Sequence, residues 1–245
     1  MRLSRARRWP PCLARPSKLV SANVKAMLSA EVLLEKFAVY GRFYERMIAG
    51  VPEQLRDRLE IAPREMPLGE VVAREPDLLV VMMNPGGSKP LNALWNDTEE
   101  HGLVPAVPDR TQYQIMRLLV AAHSAGLGWS HARILNLSDL RTPKSALFIQ
   151  KLSQYAQDPS HSIFSKSRTQ ECSALFADKL TPVLLGWGLN ANVGPWADLA
   201  LQAAQGHPLL GLSTDSRFYR HPLPQRYDMQ VGWLEQIQKQ IQTAV

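Results

Sequence analysis

The chain has 245 residues, 45% of them apolar, a formal net charge of +6 and only two cysteines, Cys12 and Cys172. That length suits one buried core better than two, and two cysteines exclude a four-cysteine metal site and give no sign of a disulfide framework. No apolar run reaches the roughly 18 residues of a membrane helix, and the N-terminus lacks the apolar core of a signal peptide, so a soluble, cytoplasmic protein is expected.

Arg2, Arg5, Arg7, Arg8, Arg15, Lys18 and Lys25 all precede the first acid, Glu31, which leaves a formal charge of −1 on the remainder. Residues 1–29 are therefore expected to form a basic, disordered arm able to neutralise phosphates, with Met27 as an alternative start. Residues 30–245 are expected to form a single domain. Val32, Leu33, Phe37, Tyr40, Phe43, Tyr44 and Met47 recur at helical spacing and predict a helix over Ala30–Ile48, punctuated by Gly50–Val51–Pro52. Four short apolar runs follow, Leu78–Met83, Ala132–Leu137, Pro182–Gly186 and Leu209–Leu212. The long stretches between them, including helical patterns at Thr111–Ser124 and Ser167–Leu180, imply crossovers and parallel pairing. The predicted fold is α/β: a three-layer α/β/α arrangement around a central four-stranded parallel sheet. In such sheets ligands sit beyond the carboxyl ends of the strands, where the chemistry is to be read.

The first run ends in Asn84–Pro85–Gly86–Gly87–Ser88, where proline stiffens the chain and glycines admit close approach of a ligand. The second ends in Asn136–Leu137–Ser138–Asp139, with an amide at the strand mouth. The last leads into His221–Pro222–Leu223–Pro224–Gln225–Arg226. Arg217, Arg220 and Arg226 flank this histidine and suit a phosphate backbone.

In order and spacing these elements resemble the signature motifs of the uracil-DNA glycosylase superfamily. Asn84–Pro85–Gly86 resembles its mismatch-specific and single-strand-selective branches, and the pairing with His221 is most similar to the latter. His101–Gly102–Leu103 with Pro108 and the following helix resembles a segment of the uracil-specific branch. The chain also looks like an uncharacterised bacterial family with Asn-Asp-x-Thr after the first motif, here Asn96–Asp97–Thr98–Glu99. The resemblance implies a monofunctional DNA glycosylase that flips a base and hydrolyses its N-glycosidic bond, with DNA as partner, no cofactor and no metal, acting as a monomer. It implies that Asn84 positions the attacking water, Asn136 binds the edge of the base and His221 stabilises charge growing on the departing base. Leu223, Gln225 and Arg226 are the candidate wedge residues.

Two departures from the uracil-specific pattern shape the substrate. Asn84 stands where that branch has an aspartate, and it orients water but takes no proton. Gly86, followed by Gly87, stands where that branch has a bulky tyrosine, and it opens the pocket to a substituent at carbon 5. The expected substrate is a 5-substituted pyrimidine, such as the glucosylated hydroxymethylcytosine of phage DNA in antiviral defence. Repair of uracil or mismatches is the alternative, as is base recognition without catalysis or a nucleotide-processing activity. Asp97, Glu99 and Glu100 are candidates for the missing carboxylate, Asp139 for a contact to a base amino group or sugar, and Trp187, Trp95 and Phe148 for stacking on the base. His101, His123, His131, His161 and His207 show no metal-ligand spacing.

Overall fold

The computed structural model describes residues 27–92 and 102–244. In chain order the elements are α1 (Ala30–Lys36), β1 (Phe37–Ile48), β2 (Val51–Pro63), α2 (Leu68–Ala73), β3 (Leu78–Met82), β4 (Lys89–Pro90), β5 (Val104–Val107) and α3 (Arg110–Ser124). There follow β6 (Ala132–Asn136), α4 (Ser145–Gln154), α5 (Thr169–Leu175), β7 (Val183–Leu185), α6 (Gly194–Ala203), β8 (Leu209–Leu210) and α7 (Tyr227–Ala244). The basic arm before Met27 and the segment 93–101, with Trp95, Asp97, Glu99, Glu100 and His101, lie outside the described residues.

The protein is α/β, and its described residues form one eight-stranded sheet in the order β4-β5-β1-β2-β6-β3-β7-β8. The four apolar runs of the sequence are β3, β6, β7 and β8, and they lie side by side in parallel. The expected four-stranded parallel sheet is nevertheless corrected to a mixed one, because β2 pairs antiparallel with β6 and brings β1, β5 and β4 after it, each antiparallel to its neighbour.

The helix expected over Ala30–Ile48 is also corrected: it stops at Lys36, and Phe37–Ile48 is β1. Apolar residues this dense satisfy periods of 3.6 and 2 at once. Burial alternates through Phe37, Val39, Gly41 and Phe43, with a register shift between Arg42 and Phe43. Ala49 and Gly50 both take positive φ, 47° and 80°, the geometry of a two-residue hairpin turn. The returning strand β2 buries Glu53, Arg56, Asp57 and Glu60. So many charges look solvated in a hydropathy reading, and the sequence pattern predicts no strand there.

Alternation along β3 divides the core. Leu78, Val80 and Met82 pack with Ile115, Leu118 and Leu119 of α3 and Trp233, Ile237 and Ile241 of α7. Leu79 and Val81 pack with Phe148 and Leu152 of α4 and Ala197 and Ala200 of α6. Strands buried on both faces read as continuous apolar runs, which is why β3, β6 and β7 were visible in the sequence. Helix α3 begins in a capping box: the Asp109 carboxylate accepts from the amides of Thr111 and Gln112, while the Gln112 side chain accepts from the Asp109 amide. The second expected crossover is shorter than the pattern Ser167–Leu180, with a 3-10 turn at Lys166–Arg168 leading into α5. No helix among the described residues is long and apolar enough to cross a membrane.

Near the amino end of β6, Glu60 is fully buried and accepts from His131 Nε2 (2.8 Å), Arg133 Nε (2.7 Å) and Arg58 Nε. Burial alone raises its pKa, but the His131 hydrogen bond and the charges of Arg133 and Arg58 outweigh that and hold it below its ordinary value.

Candidate active site

The loops after β3 and β6 and the His221 loop meet at the carboxyl end of the parallel half of the sheet. Pro85 is buried, Gly86 takes φ 63°, and Gly87 is exposed. Asn84 Nδ2 donates to the carbonyls of Thr142 (2.8 Å) and Leu140 (3.3 Å), which ties the first loop to the second. Its Oδ1 has no partner among the described residues and remains an acceptor. A Cβ built on Gly86 meets nothing within 4 Å, so the space beside it is open.

Asn136, the last residue of β6, is fully buried. With its amide oriented to satisfy both ends, Nδ2 donates to the Asn84 carbonyl (3.2 Å) and Oδ1 accepts from Arg56 Nη2 (3.2 Å). The side chain is thus spent inside the protein. The residue it presents is Arg56 of β2, 3% exposed, whose pKa burial lowers to about 10 against the charge of Asp109. Arg56 escaped the sequence reading because its strand did.

The His221 loop reaches these strands over Gly186: a Cβ there would lie 2.9 Å from Pro222 Cδ and 3.3 Å from Met82 Sδ. Because the proline ring is stiff, Gly186→Ala is expected to push the loop away. It should cost about 1–3 kcal/mol of stability, read by urea unfolding. His221 Nδ1 accepts from the Leu223 amide (3.1 Å), which leaves the proton on Nε2. Burial lowers its pKa, opposed by the charge of Asp109, and so favours the neutral ring at pH 7. Asp109 therefore acts on both Arg56 and His221, and nothing in the sequence analysis singled it out. With Arg220, Gly188, Leu189, Pro224 and Met229, His221 lines a cleft of ≈ 620 Å³. Asn84, Asn136 and Arg56 do not line it.

Other expected site residues fall elsewhere. Trp187 is fully buried, donates from Nε1 to the Arg217 carbonyl (3.2 Å) and packs edge-on to Tyr219 at 5.3 Å. It anchors the loop from the core and has no free face for a base; Phe148 is equally buried. Asp139 is fully buried beside Arg168 and receives a hydrogen bond from Tyr44 (3.3 Å). Burial pushes its carboxyl up, with Arg168 holding it back. Asp139 belongs to an ion network with Asp57, Arg168 and Glu171 that borders a recess of ≈ 230 Å³, and its carboxylate is engaged there. Arg217 is paired with Asp198 (2.7 and 2.6 Å) and Arg226 with Asp228 (3.0 and 2.5 Å), all exposed. Exposed pairs are weak and can exchange for phosphate. Arg220 is exposed without an ion partner among the described residues, Gln225 is exposed and Leu223 is half-buried. Asp97 lies outside the described residues. Among the described residues no group of three or more His, Cys, Asp or Glu could hold a metal ion.

Behind Asp139, His161 is fully buried with Nδ1 2.9 Å from Ser138 Oγ, and burial drives its pKa down to about 4. A base held below its ordinary pKa binds fewer protons folded than unfolded, so stability is full above about pH 6.5 and lost as pH falls toward 4. Replacing His161 with Gln is expected to remove a loss of about 3 kcal/mol across that window, read as the pH dependence of urea unfolding.

No protein-family model, curated protein or solved structure matches the chain.

Proposed function

We propose that the chain is a monofunctional DNA glycosylase with a three-layer fold of the uracil-DNA glycosylase kind. The observation that carries this reading is the meeting of the Asn84, Asn136 and His221 loops at the carboxyl ends of neighbouring parallel strands, the position where such sheets hold ligands. A nucleotide is flipped out of DNA and water adds at the anomeric carbon as the carbon–nitrogen bond breaks. The bonding pair leaves with the base, and the proton released from water ends on that base. Asn84 Oδ1 orients the water. His221 Nε2–H donates to the oxygen on which charge grows, without giving up its proton. Arg220, with Arg217 and Arg226 once they exchange their acids, meets the backbone, while Leu223 or Gln225 fills the gap left by the base. The open space at Gly86 favours a 5-substituted pyrimidine, with antiviral defence or repair as the setting.

One observation favours a second reading, base recognition without hydrolysis: the amide nitrogens of Asn84 and Asn136 are both engaged by backbone carbonyls, as in a rigid binding pocket. The two readings separate when the protein is incubated with duplexes and single strands carrying uracil, a thymine mismatch, 5-hydroxymethylcytosine or its glucosylated form. Alkali-labile abasic sites from one of these, lost with His221→Ala, support hydrolysis. Selective binding with no abasic site supports recognition, and neither result defeats both.

A further inference from the structure

Arg56 is an unusual residue to bury. Only one of its guanidinium nitrogens, Nη2, meets an acceptor, the Asn136 side chain; Nε and Nη1 are buried without a partner among the described residues. Unmet buried donors are costly, and an apolar side chain of similar volume would serve stability better. Two further buried groups nearby lack partners among the described residues, the hydroxyls of Ser88 and Thr142. Thr142 is joined to Arg56 through Asn84 and Asn136, whose hydrogen bonds run in series. Ser88 closes the first motif, its amide bonded to the Pro85 carbonyl. Unmet hydrogen-bonding groups thus gather behind the loops where the motifs meet.

We propose that Arg56 is the residue that contacts the flipped base, and that it selects an oxo base, one that turns a carbonyl edge toward it. This rests on the glycosylase reading above. A guanidinium only donates, so it pairs with carbonyl oxygens or ring nitrogens and repels an exocyclic amino group. The same preference underlies arginine's pairing with the O6 and N7 acceptors of guanine. Uracil, thymine and 5-substituted uracils fit, whereas a base that turns an amino group inward does not. Together with the open space at Gly86, this favours 5-substituted uracils over 5-substituted cytosines. Charge that collects on the carbonyl oxygens as the bond breaks strengthens the contact in the transition state. Asn136 then holds the guanidinium rather than reading the base.

The test uses the full chain, wild type and Arg56→Met, with labelled single strands carrying uracil, 5-hydroxymethyluracil, cytosine or 5-hydroxymethylcytosine. Base release is followed under single-turnover conditions, binding by fluorescence anisotropy and folding by thermal melting. The expected result is release from the oxo bases, a fall of about 10²–10³ in the variant, unchanged affinity for unmodified DNA, and a melting temperature no lower than wild type. Wild-type release from cytosine-type DNA in preference to the oxo bases, or undiminished release by Arg56→Met, overturns the role of Arg56 and leaves the glycosylase reading standing. Should the wild type release no base, that reading falls and Arg56 is judged on binding: preference for oxo-base strands lost in the variant supports it, and absence of preference overturns it. If Arg56→Met does not fold, Arg56→Lys, which keeps the charge with a different donor geometry, is read in the same way.

Discussion

Replacing His221 with alanine is expected to lower base release by about 10²–10³, the loss typical of removing one preorganised donor from a developing negative charge. The Leu223 amide occupies Nδ1, so Nε2 carries the proton, and burial keeps the ring from acquiring a second one. A neutral imidazole donates a hydrogen bond without being consumed, so it needs no proton returned in each turnover. Two signatures separate this role from general acid catalysis. His221→Gln, which retains an N–H donor, should recover part of the lost rate. The wild-type rate should also stay level from about pH 8 down to about pH 6.5, the ordinary histidine value. A rate that climbs steadily as pH falls across that range would assign His221 the role of a proton donor, and an alanine variant with full activity would remove it from the chemistry.

Glu60→Ala is expected to cost about 3–5 kcal/mol, because it leaves three side chains that were built around one buried carboxylate. His131 and Arg133 come from the β6 side, and Arg58 from the same strand as Glu60. Without the carboxylate the two guanidinium charges stay close together in a region where water cannot replace it. Against a typical domain stability of about 5–15 kcal/mol this is a large fraction, and urea unfolding should show it directly. Glu60→Ala combined with Arg133→Leu should recover much of the loss, since it removes a stranded charge as well. The pH dependence has a definite sign. The folded state holds the Glu60 carboxyl below its ordinary pKa, so its contribution is present above the ordinary carboxylate range and lost as pH falls through the folded value. A Glu60→Ala variant that unfolds at the wild-type urea concentration would show the cluster to be energetically idle.

Legibility in the sequence followed the kind of burial each segment experiences. The runs that became β3, β6 and β7 were visible because strands covered on both faces need apolar residues throughout. Their parallel pairing followed from the long crossovers between them. The β1–β2 hairpin was hidden for two reasons. The apolar residues of β1 fit a helix as well as a strand, and β2 carries charges whose neutralising partners, such as Lys151 for Glu53, Arg168 for Asp57 and Arg133 for Glu60, lie far away in the chain. Asn84, Asn136 and His221 could be picked out because they follow the strands. Their partners could not, since Arg56, Asp109 and Thr142 belong to other elements or have an ordinary local use as a cap or loop residue.

By itself, then, the sequence determined the α/β class, the four parallel strands and the three loops at their carboxyl ends, because local patterning and turn chemistry suffice for these. Only the tertiary structure decided that the sheet has eight strands, that Trp187 and Asp139 serve the interior, and that Asn136 is spent on Arg56. Those outcomes depend on which distant groups satisfy a buried charge or amide. A hydrogen-bond demand of that kind is met in space and leaves no period or spacing along the chain.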